Sequence, residues 1–401
     1  MVRELVNLTA DKSRSSTWVW LLLDIYLPSV IAAIARGMLS ISLPLFLIAS
    51  RLEPIYVGLG SASVSLGNLV MDMPGGYFLR IFGERSLMKI SLAVVALSSL
   101  GMALLSDPWF VILFASIFGA GRSMWLLSRR YVITYYIPYS YRGRASSFIG
   151  MSERLGTFVG PAIVSVIVDY GYQVVFLACS LLVSIAIIPN IISPRIQAIP
   201  YRIASPREDL KPGRVDGEPG LIFLATVSIS NIAIQGVRSS RNIILALIGK
   251  GLYLSDSTIS LAASASGALD VVGAYPAGVL MDKKGRGVAI TISFSIIALG
   301  YAFLAISGNE VMFYLSAIVI GFGNGFGSGF LITLGADIGS RMGTSRGAIF
   351  LAMWQFIGDL GSVAFPIWIG LASSLMGASI TSLLISSISA LIPPTFRHIV
   401  K

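Results

Sequence analysis

Apolar residues in this chain do not alternate with polar ones. They come in long continuous runs separated by short polar clusters. A bilayer core takes about 20 largely apolar residues per helix, and the polar breaks divide the sequence into twelve such spans: 18–49, 55–80, 86–106, 108–136, 146–169, 172–193, 220–250, 257–281, 288–307, 310–337, 347–371 and 374–394. Several exceed the minimum, so tilt is expected. The long polar interval from Pro194 to Pro219 is rich in Pro, Arg, Asp and Glu and reads as a linker. The predicted organisation is a tail over 1–17, a six-helix half over 18–193, the linker over 194–219, a second half over 220–396 and a tail over 397–401. The first 17 residues are polar and the run after them is too long for a cleaved signal, so it is expected to stay as span 1.

Composition supports the same class. Of 401 residues, 55% are hydrophobic and 12% charged, and the mean hydropathy is +0.83. So few charges do not cover a water-soluble surface. Soluble enzymes, coiled coils, disordered chains and nucleic-acid binders are thereby excluded. The net charge of +10 acquires a meaning when its 29 basic residues are sorted by loop. The side of the N-terminus takes 22 of them, among them Arg80, Arg85, Arg129, Arg142, Arg144, Arg286 and Arg346; the opposite side takes only Arg51 and Lys250. Both termini and the linker are therefore expected in the cytoplasm, with the chain in the cell membrane. Five arginines remain inside spans: Arg36, Arg122, Arg154, Arg238 and Arg241. The single cysteine, Cys179, lies in an apolar run and the single histidine, His398, near the C-terminal end. No metal site, cofactor or His-based nucleophilic chemistry is expected, and no G-x-x-x-x-G-K-[ST] loop is present for direct ATP use.

The sequence repeats itself at a shift of 202. That offset aligns Arg36 with Arg238, Pro74 with Pro276, Gly76 with Gly278 and Gly83 with Gly285. It also aligns Gly119 with Gly321, Gly121 with Gly323, Arg144 with Arg346, Phe148 with Phe350 and Gly156 with Gly358. Glycines match by chance in membrane helices; the proline and two arginine pairs carry the duplication. Six helices is an even number, so the halves are parallel repeats. The predicted fold class is an all-α polytopic membrane protein of twelve transmembrane helices in two parallel six-helix repeats.

The loop after span 8 reads GVLMDKKGR, with Gly278, Asp282, Gly285 and Arg286 in the pattern G-x-x-x-D-x-x-G-R. Its copy after span 2 keeps Gly76 and Gly83 but has Arg80 in place of the acid, Glu84 in place of the arginine and Arg85 one position late. With the repeat and GTFVGP in span 5 (Gly156, Gly160, Pro161), which is similar to part of an antiporter motif, the whole chain resembles the major facilitator superfamily. That resemblance implies a carrier whose halves rock about a central cavity, and a gating role for the two loops. It pairs Asp282 with Arg142 or Arg144 in a charge-assisted lock that breaks as the halves move. The mirror-image lock is not available with Arg80 facing Arg346, so Glu84 substitutes or that lock is absent. The alternative is that Asp282 and Arg286 are solvated loop charges.

A charge at mid-bilayer costs about 2.5 to 3.5 kcal/mol on insertion scales and normally faces a cavity or a partner. Arg36 and Arg238 each lie 18 residues into their spans and Arg122 lies 14 residues in; Arg241 shares a face with Arg238, and Asn324 is the repeat mate of Arg122. In the family, spans 1, 4, 7 and 10 line the cavity, so the resemblance gathers Arg36, Arg122, Arg238, Arg241 and Asn324 into one cationic site. Guanidinium forks bind carboxylate or phosphate bidentately and stay protonated, and paired arginines on spans 1 and 7 resemble organophosphate/phosphate antiporters. The competing reading has these arginines paired with membrane acids, holding helices together. Asp24 and Asp359 are the candidates for proton coupling; Asp72 reads as a gate residue, Asp270 has no assigned role, and Glu153 beside Arg154 suggests local neutralisation. The expected function is a secondary active transporter of a small solute, favoured to be an organic anion, coupled to protons or to exchange. A proton-coupled exporter of hydrophobic compounds and a passive channel or scramblase are the alternatives. Expected partners are the substrate, the lipid bilayer and protons as coupling ion, with no nucleic acid; a monomer is compatible with the sequence.

Overall fold

The computed structural model describes residues 22–137, 139–192, 221–327, 329–341 and 344–397, and its elements among these are helical, with no strand. A short π-helical turn, Leu22–Tyr26, leads into α1 (Leu27–Ala49). There follow α2 (Pro54–Leu104), α3 (Pro108–Tyr136), α4 (Tyr139–Ile167), α5 (Tyr172–Ile192), α6 (Leu221–Ser239), α7 (Arg241–Gly251), α8 (Asp256–Lys284), α9 (Arg286–Ala305), α10 (Glu310–Phe326), α11 (Phe330–Arg341), α12 (Thr344–Met376) and α13 (Ala378–Arg397). Seven of the described helices are long and apolar enough to cross a membrane. The expected linker and both tails lie outside the described residues, apart from the first residue of the C-terminal tail, Arg397.

Spans 2 and 3 run as one element, α2, broken at Gly83, whose φ of 73° only glycine adopts readily. Gly285, its repeat mate, has φ 84° and separates α8 from α9. Two spans expected to be continuous are interrupted. Span 7 breaks at Ser240, where the Ser239 and Ser240 hydroxyls both donate to the Gly236 carbonyl and compete with the helix ladder. Span 10 breaks between α10 and α11, where Gly329 takes φ 84°.

The packing repeats as the sequence does. In the first half α1 packs on α4, α2 on α3, and α2 on α5; in the second, α6 packs on α12, α8 and α9 on α10, and α9 on α13. A Cβ on Gly119 would overlap the Val64 carbonyl and one on Gly321 the Ser266 carbonyl, and Val64 and Ser266 are themselves 202 apart. The glycines of span 5 have a structural use. Gly156 and Gly160 let α4 lie against Ala33 and Gly37 of α1, backbone to backbone, the small-residue packing that membrane helices favour. Gly156→Val is accordingly expected to lower the stability of the detergent-solubilised protein by about 1–3 kcal/mol through overpacking, seen as a drop in its thermal unfolding midpoint.

The halves meet along two seams related by the repeat, α2 with α12 and α4 with α8. Both are tight at the end of the molecule that carries the short turns. There Gly58 meets Pro366 and Gly370, the Tyr172 hydroxyl donates at 2.7 Å to Asp256 Oδ2, an acid also held by Lys250 of its own half at 2.7 Å, and the Ser264 and Ser257 hydroxyls donate to the Phe158 and Ser165 carbonyls. Towards the other end, here the terminal end, Val70, Met73 and Tyr77 on α2 and Val272 and Tyr275 on α8 are exposed.

Candidate functional site: an arginine-lined cavity between the halves

A cavity of about 540 Å³ lies between the halves, lined by seven arginines (Arg36, Arg122, Arg129, Arg130, Arg154, Arg238, Arg241) and three carboxylates (Glu153, Asp270, Asp359). Its lining therefore carries four more formal positive charges than negative ones. All five residues expected in the binding site, Arg36, Arg122, Arg238, Arg241 and Asn324, face it.

The charges are organised as two clusters. In the first half Glu153 on α4 receives three guanidinium groups: Arg36 Nε at 3.2 Å, Arg122 Nη2 at 3.5 Å and Arg129 Nη2 at 2.8 Å. In the second, Asp270 on α8 faces Arg241 at 3.6 Å, accepts from the Asn324 amide at 2.6 Å, and is reached across the interface by Arg154 at 3.9 Å. Arg238 Nε donates to Asn324 Oδ1 at 2.7 Å, which ties it to Asp270 through the amide. Arg154 is thus a first-half residue paired with a second-half acid. Successive helical residues point about 100° apart, so adjacent Glu153 and Arg154 serve different partners rather than each other.

The 202 offset relates the two clusters position by position. Arg36, Asn68, Arg122 and Glu153 lie on α1, α2, α3 and α4; their mates Arg238, Asp270, Asn324 and Gln355 lie on α6, α8, α10 and α12, and all eight line the cavity. Each half has one carboxylate, on different members of the set, with an amide at the mate. At the centre Asn242 donates to Ser40, 202 residues away, at 2.9 Å. Extending the offset from the arginines to the acids and amides would have revealed Asp270, Asn68 and Gln355 in the sequence. Arg129 requires a correction: counted as a cytoplasmic loop charge, it is buried in α3, two turns beyond Arg122, with Ser29 and Glu153 as partners.

The proton-coupling candidates separate. Asp359 lines the cavity and accepts from Gln355 Nε2 at 3.1 and 3.2 Å. Asp24 does not line it; it is buried in the first π-helical turn with Arg85 at 3.5 Å, and its carbonyl accepts from Asn190. Of the gating residues, Arg85 therefore ties the start of α9's counterpart, the second part of α2, to the π-helical turn that leads into α1, and Glu84 accepts from Tyr136 at 2.8 Å. Arg286 donates to the Thr333 carbonyl at 3.4 Å. Gly76 and Gly278 have open space where a Cβ would stand. The side chains of Asp282, Arg142, Arg144 and Arg346 lie outside the described residues, and so does the lock expected between them.

A helical multi-pass membrane protein whose repeated halves enclose a charged cavity has the architecture of a secondary transporter. The chain belongs to the Major Facilitator Superfamily, whose family model matches residues 25–366; it is a transporter and not an enzyme. It is 23% identical over 278 residues to the uncharacterized MFS-type transporter YcaD of Escherichia fergusonii, covering 68% of this chain and 69% of that protein. It is 27% identical over 121 residues to the inner membrane metabolite transport protein YdjE of Escherichia coli K12, a match that covers 29% of this chain and spans only 26% of that relative. The fold is similar to that of the nucleoside transporter NupG (TM-score 0.71, 14% identity, 95% of this chain and 98% of that one). It is also similar to a bacterial homologue of the human lysosomal transporter Spinster in an inward-facing, occupied conformation (0.75, 12%, 96% and 96%), and to the D-xylose-proton symporter (0.68, 17%, 93% and 96%).

Proposed function

We propose that this transporter moves a small organic anion across the cell membrane by alternating access, its halves rocking about the cavity between them. The observation that carries the reading is the excess of arginine over carboxylate in the cavity lining. Uncompensated guanidinium groups in a site of low dielectric attract an anion and bind it through paired hydrogen bonds.

In this reading twelve helices cross the bilayer, α6 with α7 and α10 with α11 each forming one broken span. The basic loops and both termini face the cytoplasm under the positive-inside rule. The tight short-turn end is then extracytoplasmic, and the conformation is inward-facing. The open space at Gly76 and Gly278 fits a role for these glycines in the opposite conformation, when the terminal ends of the halves meet. The glycines of span 5 pack α4 on α1 and so lend no weight to the exporter alternative. A thermal-stability screen of the purified protein with organic anions, sugars and cationic dyes tests the substrate class. Stabilisation by anions is expected; stabilisation by cationic dyes alone would reject it.

A further inference from the structure

Two carboxylates on opposite halves take no part in either arginine cluster. On α2 the residues Ser61, Ser65, Asn68 and Asp72 recur at spacings of three and four and share one helix face; on α12 Gln355, Asp359, Ser362 and Pro366 do the same. All but Asp72 line the cavity, and Asp72 continues its face by one turn. The two helices touch at the short-turn end, where a Cβ on Gly58 would stand 2.9 Å from the Gly370 Cα. From that contact Asp72 lies roughly 21 Å along α2 and Asp359 roughly 16 Å back along α12, at 1.5 Å of rise per residue. The acids therefore stand within about one helical turn of the same depth, on helices that pack together at one end. Asp72 is exposed and accepts from Ser123 at 2.5 Å; Asp359 is held by Gln355.

We propose that Asp72 and Asp359 form a proton-binding site that is assembled only when the terminal end of the molecule closes. The proposal rests on the alternating-access reading but not on the anionic substrate. Rocking that seals the terminal end brings the lower parts of α2 and α12 together and turns the two carboxylates towards each other. Two carboxylates in contact, away from bulk water, do not both stay ionised. One proton, taken from the aqueous cavity, is shared between them as O–H···O⁻, and the pair titrates as a unit. When the end reopens the groups separate and the proton returns to water.

Among the described side chains, the charged groups that neighbouring elements present to the pair are Arg122 and Arg130 of α3, whose fields reach Asp359 as Asp72's does. Arg122 is engaged by Glu153, whereas Arg130 is exposed. On the other helices packed here, Arg36 of α1 is held by Glu153, Arg238 of α6 by Asn324 and Arg241 of α7 by Asp270; α5 carries no charged residue. The closed state binds the proton more tightly than the open state, so closure is favoured as pH falls. With one linked proton, the ratio of closed to open changes by up to about tenfold per pH unit.

The test is a distance measurement on the full chain in lipid nanodiscs, with Cys179→Ala as background and spin labels at Tyr77→Cys on α2 and Met353→Cys on α12, both exposed positions. The short-distance population is expected to grow as pH is lowered, by up to about tenfold per unit over the titration. Asp359→Asn and Asp72→Asn are each expected to remove the pH dependence and to populate the short distance at every pH, and Asp359→Glu to retain the wild-type response. A wild-type distribution that ignores pH overturns the proposal, as does an asparagine variant that keeps the wild-type pH response. Loss of the short distance in those variants overturns it too, since it would mean that Arg130 bridges two ionised carboxylates. A single distance under every condition, ligand included, would also remove the rocking motion on which the proposal depends.

Discussion

Glu153→Gln is expected to destabilise the folded transporter by about 3 kcal/mol, the low end of the range for removing one partner of a buried ion pair. The low end applies because 24% of the Glu153 side chain faces the cavity. This one carboxylate is the shared counter-ion of Arg36, Arg122 and Arg129, and glutamine keeps its shape while removing its charge. Three guanidinium groups then repel one another where little water screens them. Arg129, only 4% exposed, has the least access to solvent and loses its 2.8 Å charged partner. Thermal unfolding of the purified variant checks the effect. A double-mutant cycle with Arg129→Gln separates repulsion from a general loss of packing: the pair of substitutions should cost clearly less than the sum of the two. Strict additivity would show that the cluster is not electrostatically coupled.

The membrane class and the duplicated halves were legible in the sequence because both follow from long-range regularities. Continuous apolar runs mark what lipid surrounds, and the 202-residue offset survives without a gap through Arg36, Gly83, Gly119 and their mates. The cavity arginines were legible for a related reason: a guanidinium inside an apolar span needs a partner or a cavity. What they pair with was harder to read. Glu153 looked engaged with its sequence neighbour, yet helical geometry sends the two in different directions, one to its own half and one across to Asp270. Arg129 was assigned to a loop because it sits beside Arg130 near the end of an apolar run; burial depends on where α1 and α4 pack, through Ser29 and Glu153, and hydropathy carries no record of that packing. The breaks in spans 7 and 10 arise from local competition, by serine hydroxyls at Gly236 and by Gly329, within runs that remain apolar overall.

The second large effect concerns transport itself. Arg36 and Arg238 are repeat mates on α1 and α6, both in the cavity wall, and neither is the principal buried partner of its cluster's acid: Arg129 is closer to Glu153, and Arg238 reaches Asp270 only through Asn324. Among the lining residues they are the one arginine pair that the repeat places on both halves, so in the proposed reading each half presents one of them to a ligand held between the halves. Removing one charge-assisted pair costs about 1.5–3 kcal/mol of binding, so Arg36→Gln and Arg238→Gln should each weaken anion affinity by roughly ten- to a hundredfold while leaving the helices folded.

The most direct test of the account is saturable uptake of labelled organic anions into proteoliposomes, set beside cationic dyes, for the wild type and these two variants. Anion uptake by the wild type, lost or strongly weakened in both variants whose unfolding midpoints stay near wild type, is the predicted result. Transport of cationic dyes with no anion uptake, or anion uptake indifferent to both arginines, would contradict it.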